Sequence, residues 1–545
     1  MRCSHVWMVA LALGGLSLPL FAQGSPEARY QILVALDKEF AQFSRPTVVD
    51  GITDYSPEAI QVQKEGLEKF RQRLAAINTD SWSIPQQVDY LLVWAKLNNV
   101  EFDHRVMKPW ARDPLLYHDQ VSRLPYTEVP VPADKKAAFA ANLRAVPAIL
   151  KQAQDNLTES NGELAKLTIF YLENFDGLGI GQPYRSVPPA GTVGWYKDLG
   201  ERLQKDGSDL VGDCQKALAA VEGYRDWLKS NLGNMPQSAA IGLDNINWYL
   251  KHVRLLPYDV DDIMLLGGRE LHRFRFDYVV ERNKNRELGE LALTQSAEEH
   301  ERRTRNAETR IRATIKEQNL LTIPDYMPPE FETDAVWTPV IAANRHFWVE
   351  LQFRNALNNH IHASIPGHRF DRELSQRLTN PIRKSYRDTA RGEGWGTYLE
   401  ELFVQAGTMD DNPRARELNY IALIKRGSRV FAETGMHSGK FSIAQANQYM
   451  IDQVPFMEVN LGRYDLIGYL RRPGDGSMYL IGKMQIEQLV SERALQLGDK
   501  FDLGTFHDDF LSKGVIPVTL IRWEMTGYDD EVKPLWAEVV DQKIK

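Results

Sequence analysis

Residues 360–369 run His-Ile-His-Ala-Ser-Ile-Pro-Gly-His-Arg, and about 25 positions later the chain reads Gly-Glu-Gly-Trp-Gly-Thr-Tyr-Leu-Glu-Glu. Three imidazoles within nine residues, followed by a carboxylate at the start of a helical segment, suit a zinc site built from nitrogen and oxygen donors. The expected ligands are His362, His368 and Glu393. His360 is open to two readings, a substitute ligand or an exposed side chain. In such a site the metal lowers the pKa of a bound water and a nearby carboxylate accepts its proton. The position after His362, where that general base belongs, holds Ala363.

An unbroken helix would send His362 and His368 to different sides. Pro366-Gly367 between them breaks regular helix, and the resulting kink brings the two rings together. Glu393 sits in the first turn of the following helix, and Glu400, two turns along the same face, is placed to orient an imidazole from behind. Gly392, Gly394 and Gly396 alternate through that turn. They are poor helix formers, and they predict close backbone approach at a crowded wall.

The rest of the chain supplies helices. Ser56-Pro57 opens an amphipathic segment to about Ala76, Ser83-Ile84-Pro85-Gln86 carries a capping-box pattern, and Asp259 with Asp262 starts a run to about Arg282. Helical periodicity continues over roughly 134–155, 161–176, 191–231, 236–254, 294–319, 335–361, 383–406, 412–435, 442–452, 476–497 and 503–513. Weak strand candidates lie near 126–131 and 515–522. The proline-rich breaks near 181–190 and 323–330 are short loops, so residues 23–545 read as one mainly α domain, with two lobes around a cleft as the expected form.

Residues 1–22 read as a signal peptide: Arg2 precedes an apolar run over residues 6–20, and Ala22 suits cleavage. That run is shorter than a bilayer span and no other approaches it, so no integral membrane segment is expected after its removal. Cys214 would then be the single thiol, and an exported chain without a disulfide fits a bacterial periplasm or secretion. The formal charge of −8 and the lack of a basic cluster exclude nucleic acid as the main partner.

His362, Pro366, Gly367 and His368 match the pattern His-Glu-x-x-Pro-Gly-His-His. Glu393, Gly394, Trp395, Tyr398 and Glu400 match Glu-Gly-Trp-Ala-x-Tyr-x-Glu, with Gly396 replacing alanine. Pro473, Gly474, Tyr479 and Gly482 meet a third signature, and 498–502, 506–508 and Leu511 to Pro517 a fourth. In these motifs the chain resembles the bacterial domain-of-unknown-function family 885, which is similar in fold to the gluzincin metallopeptidases. The resemblance implies a large helical fold, a two-histidine, one-glutamate zinc site, and oxyanion-stabilising roles for Tyr479 and His507. It departs at Ala363, in place of the family glutamate, and at Arg369, in place of the second histidine of the pair. Either member of that pair could be the family's second ligand.

An alanine accepts no proton. The expectation is therefore an exported, divergent metallopeptidase-like protein of reduced or lost peptidase activity, holding a peptide or small-molecule ligand in an accessory role. The alternative is a working zinc hydrolase in which Glu400 or Glu401 takes over as base. Arg471 and Arg472, before the Pro-Gly turn, are expected in surface salt bridges rather than on a ligand carboxylate.

Overall fold

Ser56, Ser83 and Asp259 each stand at the N-cap of the helix expected to follow: Pro57–Ala75, Ile84–Phe102 and Val260–Lys284. The capping boxes of Ser83 with Gln86 and Asp259 with Asp262 both form, satisfying backbone N–H groups that have no partner within the helix. The computed structural model describes residues 24–175, 188–331, 337 and 347–544. The signal peptide, most of the 181–190 break and the first part of the 335–361 run lie outside the described residues.

The chain is mainly α. Among the described residues, strand is confined to an antiparallel hairpin of Val48–Val49 with Ile52–Thr53. Neither strand candidate is a strand. Residues 126–131 follow a 3-10 turn at Leu124–Tyr126, where Pro125 and Pro130 supply no N–H for a ladder. Within 515–522, Pro517 caps the helix Val518–Thr526. The 191–231 run divides into Gly191–Lys205 and Val211–Asn231, because Gly207 turns the chain with φ of 69°.

Apolar side chains gather into three clusters. The first joins the N-terminal helix, through Leu33 and Phe40, to Trp395, Leu399 and Phe403 and to the C-terminal Leu520 and Val539. The second centres on Phe274, Ile424, Val430 and Ile481, and the third is confined to residues 117–235. No helix among the described residues is long and apolar enough to cross a membrane.

Two helices carry the functional motifs into the interior. Thr389–Gln405 packs along Asp475–Leu497 with their backbones in contact: a Cβ on Gly394 would stand 2.5 Å from Cα of Gly482, and one on Gly482 would stand 1.8 Å from the carbonyl oxygen of Ala390. The close approach expected of the alternating glycines is therefore a helix crossing that excludes any side chain at 394 or 482.

Candidate metal centre

The helix Ala356–Ala363 ends one residue after His362, and a new helix, His368–Ser375, starts with His368 as its first residue. Between them the chain folds back so tightly that a Cβ on Gly367 would lie 1.9 Å from the His362 carbonyl oxygen. Trp395, fully buried, fixes this turn by donating its indole N–H to the Pro366 carbonyl at 2.9 Å. The kink brings the two rings to a centroid separation of 4.7 Å at nearly right angles.

Glu393 completes the group. One oxygen of its carboxylate is 3.2 Å from Nε2 of His362 and 3.4 Å from Nε2 of His368. One donor atom from each of the three residues falls within 4.8 Å of the others. Burial alone would raise the Glu393 pKa, but hydrogen bonds from both imidazoles outweigh it and hold the carboxyl well below its usual range. His368, the first member of the pair, belongs to this group.

On the opposite edge of His362, a Glu400 oxygen stands 2.8 Å from Nδ1. Glu400 is buried and also accepts from Arg426, whose guanidinium lies 3.2 Å from the same Nδ1. Burial and Arg426 disfavour protonation of His362; the carboxylates of Glu393 and Glu400 outweigh them, and its pKa stands above the ordinary value. A carboxylate on the far nitrogen fixes which imidazole nitrogen faces the cluster.

The two carboxylates considered as replacement bases are spent elsewhere. Glu400 lies behind His362, on the edge turned away from Glu393. Glu401 is engaged by Arg273 and, at 2.8 Å, by the fully buried Lys483; despite burial, these cations hold its pKa down to about 2. Nor is His360 a ligand or exposed: it is buried, with Nε2 2.9 Å from Glu308, which also accepts from Arg312.

The structure separates the two residues expected to stabilise an oxyanion. His507 is fully buried, its Nδ1 2.6 Å from the Leu320 carbonyl and its Nε2 2.9 Å from the Tyr398 hydroxyl. Burial pushes its pKa down to about 4. With both nitrogens occupied and Trp395 packed on its ring at 5.4 Å, it supports the motif helix instead of facing a ligand. Tyr479 does line a cavity, of about 560 Å³; burial raises its phenol pKa, the Arg429 charge works against that rise and the Glu393 charge adds to it. A separate cavity of about 280 Å³ is lined by His368, Glu393 and Asp388 among others.

Arg426 has no counterpart among the residues expected from sequence. Its signal was its place three residues before Arg429 on the helix Pro413–His437, much of which is buried. Arg471 pairs with Asp113 and Asp119, both at 2.7 Å, and Arg472 pairs with Asp475, the salt bridging expected of them.

Known proteins add family and fold. A family described as bacterial protein of unknown function, DUF885, matches residues 44–525. No curated protein matches the chain. A solved protein of unknown function from Shewanella oneidensis, described provisionally as a lipoprotein, superposes with a TM-score of 0.68 at 16% identity, covering 92% of this chain and 100% of its own. Another provisional lipoprotein, from Colwellia psychrerythraea, gives 0.63 at 15% identity over 92% and 98%. At such identity the likeness concerns the fold alone.

Proposed function

This chain belongs to the bacterial DUF885 family, and within it we propose an exported, metal-holding protein that binds a peptide and has lost most of its power to cleave one. His362, His368 and Glu393 would hold the metal. Two neutral imidazoles and one carboxylate are the donor set of a zinc site that keeps a position open. Zinc in such a site polarises a carbonyl and acidifies a water.

The observation that carries the reading is the convergence of three donor atoms within 4.8 Å, with Glu400 orienting His362 from behind. What is missing at the expected position is the proton acceptor. Ala363 has no titratable group, Glu400 is turned away, and Glu401 is neutralised by two cations. Loss of a general base costs about 10²–10⁴ in rate, leaving a site able to hold a carbonyl and slow to hydrolyse it. The 560 Å³ cavity beside Tyr479 is roomy enough for a few amino-acid residues.

Elemental mass spectrometry of the purified protein, beside a His368→Ala variant, tests the metal. About one zinc per chain, lost in the variant, is expected. A native protein that stays metal-free after incubation with zinc would remove the basis of this reading.

A further inference from the structure

The cavity beside Tyr479 has a charge at odds with the chain around it. The protein is acidic overall, at −8, yet four arginines line this space, Arg123, Arg429, Arg471 and Arg472, against two aspartates, Asp119 and Asp465. Both aspartates are already paired, Asp119 with Arg471 at 2.7 Å and Asp465 with Lys425 at 3.0 Å and Arg429 at 3.1 Å; Asp113 and Asp475, outside the lining, pair Arg471 and Arg472 as well, so the positive charge the cavity offers rests on Arg429 and Arg123.

The pairing at Asp465 is uneven. Lys425 and Arg429 each have about a tenth of their side chain exposed, and they share one carboxylate. Burying two cations against one anion is costly, and it leaves positive charge uncompensated beside the cavity. The guanidinium of Arg429 is also fixed in place: it lies 4.4 Å from the Tyr479 ring centroid and 5.8 Å from that of Tyr469. A planar fork held between two rings is preorganised for a carboxylate. Five tyrosines and Phe175 give the same space aromatic walls.

We propose that this cavity receives the carboxylate-bearing end of a peptide, with the carboxylate toward Arg429 and Arg123 and an aromatic or apolar side chain among the tyrosines. The choice of a peptide rests on the function proposed above; the charge argument does not. Arg426 links the cavity wall to the metal centre: it reaches His362 and lies 5.8 Å from the Tyr479 ring, on the same helix as Arg429.

Calorimetric titration of the full chain with Gly-Gly-Phe, its C-terminal amide and acetyl-Glu-Phe-amide tests the inference. Gly-Gly-Phe should bind at least about tenfold more tightly than its amide, a difference of about 1.4 kcal/mol. The preference should persist in His368→Ala, which separates it from the fate of the metal reading, and should shrink in Arg429→Gln and Arg123→Gln. Arg123 is exposed, so its replacement tests the charge without disturbing the interior. Tight binding of acetyl-Glu-Phe-amide would assign the same site to a side-chain carboxylate. Equal affinity for acid and amide, or a preference that neither arginine variant changes, would overturn the proposal.

Discussion

Gly396 presses its bare α-carbon against the imidazole of His362. A Cβ at that position would stand 2.6 Å from Cε1 and Nδ1 of the ring, closer than real contacts allow. The alanine of the motif that this segment resembles does not fit the ring where it now lies, so the glycine and the histidine position form a pair. Gly396→Ala is expected to displace His362 and weaken zinc binding by about tenfold or more, with about 1–3 kcal/mol lost from stability. A competition titration with a chelating dye measures the first and urea unfolding the second. Unchanged zinc affinity would show that the ring has room to move.

Ala363→Glu addresses the missing base directly. In the zinc-loaded protein, hydrolysis of a quenched fluorescent peptide is expected to rise by about 10²–10⁴ over the parent. No gain, in a variant shown to carry its metal, would defeat the proposal that one absent carboxylate limits hydrolysis.

Glu400→Gln keeps the size of the side chain that meets Nδ1 of His362 and removes its charge. Because such outer partners typically carry 10–100-fold of metal affinity, a loss of about that size is expected. Activity in the Ala363→Glu background should fall with metal occupancy and recover with excess zinc. A Glu400→Gln variant that binds zinc normally yet loses all activity at saturating metal would instead return Glu400 to the role of base.

His507 gives a pH signature. Its folded pKa of about 4 lies below the ordinary value near 6.5, so the unfolded chain binds the proton more readily. Its contribution to stability is complete above pH 6.5 and is lost as pH falls toward 4, at about 1.4 kcal/mol per unit. Glu433, whose buried carboxyl is raised to about 7, acts in the opposite sense, so the useful quantity is the stability difference between parent and His507→Gln. That difference should shrink by up to about 3 kcal/mol between pH 6.5 and 4 in urea titrations. A constant difference would mean that burial does not lower the ring's pKa in the folded protein.

Local chemistry was legible in the sequence wherever it is decided locally. Ser56, Ser83 and Asp259 announce their helices because a cap needs only its own first turn. Pro366-Gly367 announces the kink, and the alternating glycines announce a crossing, though not that Gly482 is the partner. What stayed hidden depends on residues far along the chain. His360 looks like one more ligand until Glu308, 52 positions earlier, is seen to bond it. His507 looks catalytic until Leu320 and Tyr398 occupy its nitrogens, and Arg426 acquires meaning only beside Glu400. The stretch 515–522 runs into the helix Val518–Thr526, whose buried first turns carry few polar residues, and so short an apolar run is not distinguished from a strand by periodicity alone.

His368 and Glu393 line a cavity that shares no residue with the larger one beside Tyr479. The proposed carboxylate-binding role falls to the larger opening, beside Tyr479, while His368 and Glu393 line the smaller one. An ion held by these residues would therefore keep its own door. A peptide seated against Arg429 would leave that opening passable, so a chelator should strip metal from the peptide-saturated protein at nearly the rate found without peptide.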